Sequence, residues 1–185
     1  PNPNLPHIPL EPLTYDSSLP PFPSTTDPFQ LIGYVDTAHG NDLRHRCSTT
    51  GYGFMLAGGV IAYPCKTQSI TTTSSTKAEF IAAVSNGKVA KYLCSVLRQL
   101  GFCQLLPTPM FEDNESTIKM VNADRPTERS RHIDIQYFAL QDWKKAGHLV
   151  LCKIKGIINP CDALTKSVGW VLHNCHAQCL MGHFG

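Results

Sequence analysis

The stretch F-Q-L-I-G-Y-V-D-T, residues 29–37, sets the reading of the whole chain. In an extended strand alternate side chains share a face, so Phe29, Leu31, Gly33 and Val35 fall together while Asp36 turns the other way at the strand's end. Two further apolar runs follow at 51–57 and 60–65, separated by Gly58-Gly59, a dipeptide that supplies the positive φ angles of a tight hairpin turn. A three-stranded antiparallel meander is the expected start of the fold.

Downstream the period changes. Ile81, Val84, Val89, Tyr92, Leu93, Val96, Leu97 and Leu100 fall at helical spacing, with Ser74 or Ser75 as N-cap, Gly101 as stop and Gly87 as a weak point inside. Residues 107–112 read as a short strand leading into Asp113, and 114–122 as a short helix. Ile133, Tyr137 and Leu140 mark the turns of a second amphipathic helix over 131–147, stopped by Gly147. In 148–154 Val150, Cys152 and Ile154 share a strand face, and 160–167 reads as a short helix with Asn159 as cap and Pro160 at its first position. The order β-β-β-α-β-α-α-β-α predicts an α/β layer with both antiparallel and parallel strand pairs. Upstream, residues 1–28 are rich in Pro, Ser and Thr without periodicity and read as a tail or linker.

Composition bounds the function only loosely. The 185 residues, 42% hydrophobic and 16% charged, suit one domain with its own core rather than a disordered chain. A net charge of +2 does not signal a nucleic-acid binder, which usually shows a clear basic excess. No apolar run approaches the ~18 residues needed to cross a bilayer, so no membrane role is expected. Eight cysteines without a secretory signal pattern read as reduced thiols, Cys94 among them as a small apolar residue, in an intracellular protein.

Four carboxylates stand where a fold of this order could gather them: Asp36 at the end of the first strand, Glu79 in the first turns of the long helix, Asp113 after the fourth strand and Asp162 at the start of the last helix. Strand ends along one sheet edge open onto a crevice. Clustered carboxylates need cations, and hard oxygen ligands select ions such as Mg²⁺. Two such ions about 4 Å apart suit in-line attack on a phosphodiester.

Six local words make the pattern specific. G-Y-V-D at 33–36, R-C-S-T-T-G-Y at 46–52, S-S-T-K-A-E-F at 74–80, E-D-N-E-S at 112–116, R-S-R-H-I-D-I at 129–135 and N-P-C-D-A-L-T-K at 159–166 occur in this order. Together they closely resemble the ribonuclease H domain that follows reverse transcriptase in copia-type LTR retrotransposon polyproteins. The resemblance runs from Phe29 to Lys166. It implies the ribonuclease H-like α/β fold, a mixed five-stranded sheet flanked by helices, occupying 29–168, with 169–185 as a C-terminal tail. It also implies hydrolysis of the RNA strand of RNA·DNA hybrids with two Mg²⁺ ions, or Mn²⁺ in their place. Asp36 matches the aspartate that touches both metals, Glu79 and Asp113 the pair that helps hold the second, and Asp162 the residue that helps hold the metal activating water. Contacts to 2′-hydroxyls are implied by discrimination between hybrid and duplex DNA. The implied partners are the hybrid and the reverse transcriptase of the same polyprotein, and the implied location is the cytoplasm, a virus-like particle or the nucleus.

Substrate contacts are expected from Asn114 and Ser116, which follow Asp113, and from Arg129, Arg131 and His132 in the R-S-R-H-I-D word. Asn114 reads equally as a helix cap and His132 equally as a structural residue at a helix start. Arg44, Arg46, Lys66, Lys88 and Lys91 are candidates for a basic substrate surface whose charge the acidic cluster offsets.

The chain departs from the family pattern in places. Ala38 and Lys77 stand where the family often has acidic residues, Tyr63 replaces a Trp, and K-G-I-I-N, residues 155–159, lacks the His that many other ribonucleases H carry before the last aspartate. Lys77 places a positive charge near the site, which raises the alternative of a catalytically degenerate hybrid-binding or structural module. A DNA strand-transfer enzyme on the same fold, dispensing with Asp162, is a second alternative. His173, Cys175, His176, Cys179 and His183 have zinc-ligand types without the usual two-pair spacing, and the tail reading is preferred.

Overall fold

The computed structural model describes residues 22, 23, 25, 27–41, 47–69, 71, 72, 74–123 and 134–182, with backbone alone for 134–137. Most of the expected N-terminal tail, together with Arg44, Arg46, Arg129, Arg131, His132 and His183, lies outside the described residues. The strands are β1 (Ile32–Ala38), β2 (Thr49–Leu56), β3 (Gly59–Ala62), β4 (Cys65–Thr67), β5 (Thr108–Glu112) and β6 (Leu149–Lys153). The helices are α1 (Ser75–Gln99), α2 (Glu115–Asn122), α3 (Asp134–Lys145), α4 (Asp162–Thr165) and α5 (Trp170–Met181). A 3-10 turn covers Gly156–Ile158.

One mixed sheet runs in the order β3-β2-β1-β5-β6, with the short β4 paired to the start of β2. The meander expected from the apolar runs is present: β1 pairs antiparallel with β2, and β2 with β3. β1 pairs in parallel with β5, and β5 with β6. The turn between β2 and β3 is one residue earlier than Gly58-Gly59 suggested. Ala57 (φ 50°) and Gly58 (φ 83°) form it, and Gly59 already pairs with Leu56. Two successive positive φ angles match the twist of a two-residue hairpin, and the strand pairing recruits Gly59.

β1 is buried along its whole length because helices cover both faces of the sheet. On one face Leu31, Phe54, Phe80, Met110, Leu140 and Leu149 pack with α1, α2 and α3. On the other, Ile32, Tyr34, Met55, Ile158, Cys161 and Cys179 pack beneath α4 and α5. The Ser74 side chain caps α1 by accepting from the Lys77 N–H at 3.2 Å. Gly101 ends the helix at φ 89°, with the Phe102 N–H reaching back to the Leu97 carbonyl at 2.8 Å. Gly87 has a packing reason: a Cβ there would lie 3.0 Å from the Trp143 ring and 3.2 Å from Leu149. What read as a weak point in the helix is where Trp143 of α3 and Leu149 of β6 pack against α1.

The end of the chain departs from expectation. Residues 170–181, read as tail, form α5, with Cys175, His176, Gln178 and Cys179 buried against the sheet. Leu172, Cys175 and Cys179 recur at helical spacing, and cysteine packs there as a small apolar residue. Judged for metal-ligand spacing, that stripe is invisible. His176 offers Nε2 to the Ile157 carbonyl at 3.1 Å, and burial holds its pKa down. The last short helix also starts later than expected. α4 begins at Asp162, while Asn159, expected as its cap, makes a capping contact in the turn ahead of it, its Oδ1 accepting the Cys161 N–H at 3.2 Å.

Candidate active site

Parallel pairing of β1 and β5 brings their C-terminal ends to the same edge of the sheet. Asp36 stands near the end of β1, Asp113 follows β5 directly, and the second turn of α1 delivers Glu79 to the same edge. One carboxylate oxygen from each of Asp36, Glu79 and Asp113 lies within 4.8 Å of the others. Asp36 is wholly buried, Glu79 is 6% exposed and Asp113 is half-buried.

Three carboxylates this close oppose one another's ionisation. Burial, then the Asp36 charge, pushes the Glu79 carboxyl up to about 8. Its Oε2 is buried and has no hydrogen-bond partner among the described residues. An all-carboxylate donor set with an unsatisfied buried oxygen fits a hard divalent cation such as Mg²⁺. Asp36, Glu79 and Asp113 are the residues that would hold it.

Asp162 approaches from α4. Burial and the Asp36 charge raise its carboxyl to about 6. It is tied to Asp36 through Lys166, whose Nζ lies 2.8 Å from Oδ1 of Asp36 and 3.1 Å from Oδ1 of Asp162. The Thr165 hydroxyl donates to Oδ2 of Asp36. α4 lies tight on β2: Gly51, paired with Asp36, would place a Cβ 2.7 Å from Thr165 Cγ2 and 3.0 Å from Leu164 Cβ. Only a residue without a side chain lets Thr165 and Lys166 reach Asp36 there.

Several neighbours of the site carried no assigned role in the sequence. Glu112, fully buried on β5, accepts the Asn114 N–H at 2.9 Å, while its Oε2 has no partner among the described residues. Burial, then Glu79, pushes its carboxyl well above the usual range. Lys153 donates to the Asp113 carbonyl. Gly156 stands against Asp113, where a Cβ would lie 2.9 Å from Oδ2. Alternation along 108–112 buries Thr108, Met110 and Glu112 on one face, the signal from which Glu112 could have been found. Thr165 and Lys166 form the end of a quoted word, but nothing in their spacing announces a contact with β1.

The expected substrate-contact residues are less concentrated. Asn114 caps α2, its Oδ1 accepting the Thr117 N–H at 3.1 Å, and Ser116 is exposed in the first turn. Lys66 is exposed on β4 and Lys88 on α1, while the Lys91 ammonium sits 5.0 Å above the Trp143 ring. Lys77 is half-buried in the first turn of α1.

A mixed sheet of this order, with carboxylates converging at the ends of its central strands, defines the ribonuclease H fold. Ribonuclease H1 from the halophilic archaeon Halobacterium salinarum superposes with a TM-score of 0.53 at 16% identity, over 73% of this chain and 93% of that one. LC11-RNase H1 in complex with an RNA/DNA hybrid superposes with a TM-score of 0.51 at 13% identity, over 73% and 93%. By sequence the chain is 35% identical over 143 residues to the retrovirus-related Pol polyprotein from transposon TNT 1-94 of Nicotiana tabacum. The match takes in 77% of this chain but 11% of that polyprotein, so the chain spans about a tenth of its curated relative's length. No protein-family model matches the chain.

Proposed function

We propose that the chain is the ribonuclease H domain of a copia-type retrotransposon Pol polyprotein, hydrolysing the RNA strand of RNA·DNA hybrids. The observation that carries this reading is the convergence of Asp36, Glu79 and Asp113 within 4.8 Å at the edge of the sheet. Homology to a Pol polyprotein segment supports it.

The chain's own residues supply position and charge. Asp36, Glu79 and Asp113 would hold one Mg²⁺, and Asp36 with Asp162 a second. Bound divalent ions in such a site activate water for in-line attack and stabilise the leaving oxygen. Asp36 is fixed for this work by the Thr165 hydroxyl and by burial in β1. Burial and the nearby Glu79 oppose a further negative charge on Glu112. Asn114 and Ser116, at the start of α2 beside Asp113, would meet the hybrid backbone, with Arg129, Arg131 and His132 as further contacts. Residues 29–168 would form the catalytic unit, joined through 1–28 to a reverse transcriptase of the same polyprotein. No helix among the described residues is long and apolar enough to cross a membrane. The proposed place of action is a virus-like particle or the cytoplasm, with the nucleus as a further compartment.

The test is cleavage of a labelled hybrid in Mg²⁺ by wild type and by Asp113→Asn. Cleavage by wild type alone supports the reading. No cleavage by either supports a degenerate hybrid-binding module. Cleavage unchanged by Asp162→Asn would favour a strand-transfer type of site.

A further inference from the structure

Lys166 occupies one half of the carboxylate cluster. Its ammonium bridges Oδ1 of Asp36 and Oδ1 of Asp162, at 2.8 and 3.1 Å, and so joins β1 to α4 by charge. A buried carboxylate is stable only with a compensating charge, and Asp36 has no exposure to water. An ion held by Asp36 and Asp162 would need the same oxygens. Two cations cannot share them at such short range without strong repulsion. The Lys166 side chain is 40% exposed, so its long stem has a path outward to solvent. The other half of the cluster is differently furnished, since Glu79 keeps a buried, unpartnered oxygen beside Asp36 and Asp113.

We propose that Lys166 is a built-in counter-ion that holds the Asp36–Asp162 half of the site against a divalent ion until its side chain swings out. The site then fills in two unequal steps. The first ion enters at Asp36, Glu79 and Asp113, and the second enters only by displacing Lys166. This inference rests on reading the carboxylates as metal ligands, and it assigns Lys166 as a positioning residue that tunes metal entry.

The experiment is a titration of the whole chain with Mn²⁺ in the absence of nucleic acid, with free ion followed by electron paramagnetic resonance. Wild type should bind one ion and then a weaker second. Lys166→Met and Lys166→Gln should tighten the weaker step by about tenfold, the equivalent of ~1.4 kcal/mol, and leave the tighter step unchanged. Lys166→Arg should keep the wild-type pattern, and Asp162→Asn should abolish the weaker step. Neutral variants that bind the second ion no more tightly than wild type would overturn the proposal.

A second measurement needs no variant that might misfold. In ¹⁵N-lysine-labelled wild type, one ammonium resonance should move to the exposed-lysine position only in the later half of a Mg²⁺ titration. A shift complete with the first ion, or no shift, would contradict the displacement. Hybrid cleavage by the same preparations separates the two readings. Lys166-dependent Mn²⁺ steps without cleavage uphold the counter-ion and remove the ribonuclease, while cleavage with Lys166-independent binding does the reverse.

Discussion

The Nδ2 of Asn159 donates to the carbonyl of Val35 at 2.8 Å, one residue before Asp36, while its Oδ1 accepts the Cys161 N–H, one residue before Asp162. One wholly buried amide thus sets the spacing between two carboxylates that are far apart in sequence. Asn159→Ala leaves a carbonyl and an N–H without their partner. It should cost about 1–3 kcal/mol, measured by urea unfolding, and lower hybrid cleavage more than it lowers hybrid binding. Wild-type stability and cleavage in this variant would show that α4 is held by other contacts.

Gly51 tests how closely α4 must pack. Gly51→Ala drives a methyl to 2.7 Å from Thr165 Cγ2 and should destabilise by roughly 1–3 kcal/mol while displacing Thr165 from Asp36. Gly53→Ala is the control, because its Cβ would meet Cys161 Sγ and Leu180 at 3.6 Å, ordinary contact distance. Thermal unfolding should rank the two clearly. Equal melting temperatures would mean that α4 shifts without cost.

Glu112→Gln should leave hybrid cleavage nearly unchanged and stabilise the fold above the ordinary carboxyl range. Burial and Glu79 already oppose a charge on this carboxyl, and the amide oxygen can still accept the Asn114 N–H. Urea unfolding should show the variant gaining stability over wild type as pH rises above the ordinary carboxyl range, where the unfolded Glu112 ionises while burial opposes ionisation in the fold; a difference that does not change with pH would contradict this. A large loss of cleavage in this variant would instead require a charged Glu112.

The pH dependence of stability follows from Glu79 and Asp162, raised to about 8 and about 6 respectively. Above the ordinary carboxyl range the unfolded chain has released these protons while the folded chain still binds them. Stability without metal should therefore fall from about pH 4.5 to about pH 8. Saturating Mg²⁺ should flatten the slope, since a bound cation removes the need for protons. Urea midpoints in chelator and in Mg²⁺, measured at pH 5, 6.5 and 8, would check this. A chelated protein growing more stable over that range would contradict the burial of Glu79.

Much of the fold was legible because its signals are local. The strand that carries Asp36, the Ser74 cap and the stops at Gly101 and Gly147 each depend on a few neighbouring residues, and the structure has them. What sequence concealed depends on packing between distant segments. Gly87 read as a helix defect until Trp143 was seen against it, and α5 read as tail because its buried stripe is built from cysteines rather than leucines. In the site, Asp36, Glu79 and Asp113 could be named from strand and helix ends. Thr165 and Lys166 could not be given their contacts, since their partner Asp36 lies about 130 positions away.

The most direct test of the central claim uses one RNA labelled at its 5′ end and presented as a single strand, as RNA duplex and as a hybrid with DNA, each with and without Mg²⁺. The account expects cleavage of the hybrid's RNA strand alone, requiring Mg²⁺ and reduced at least about 100-fold in Asp36→Asn, the scale of losing an essential electrostatic group. Cleavage that persists in Asp36→Asn, or an intact hybrid in Mg²⁺ with wild type, would contradict it.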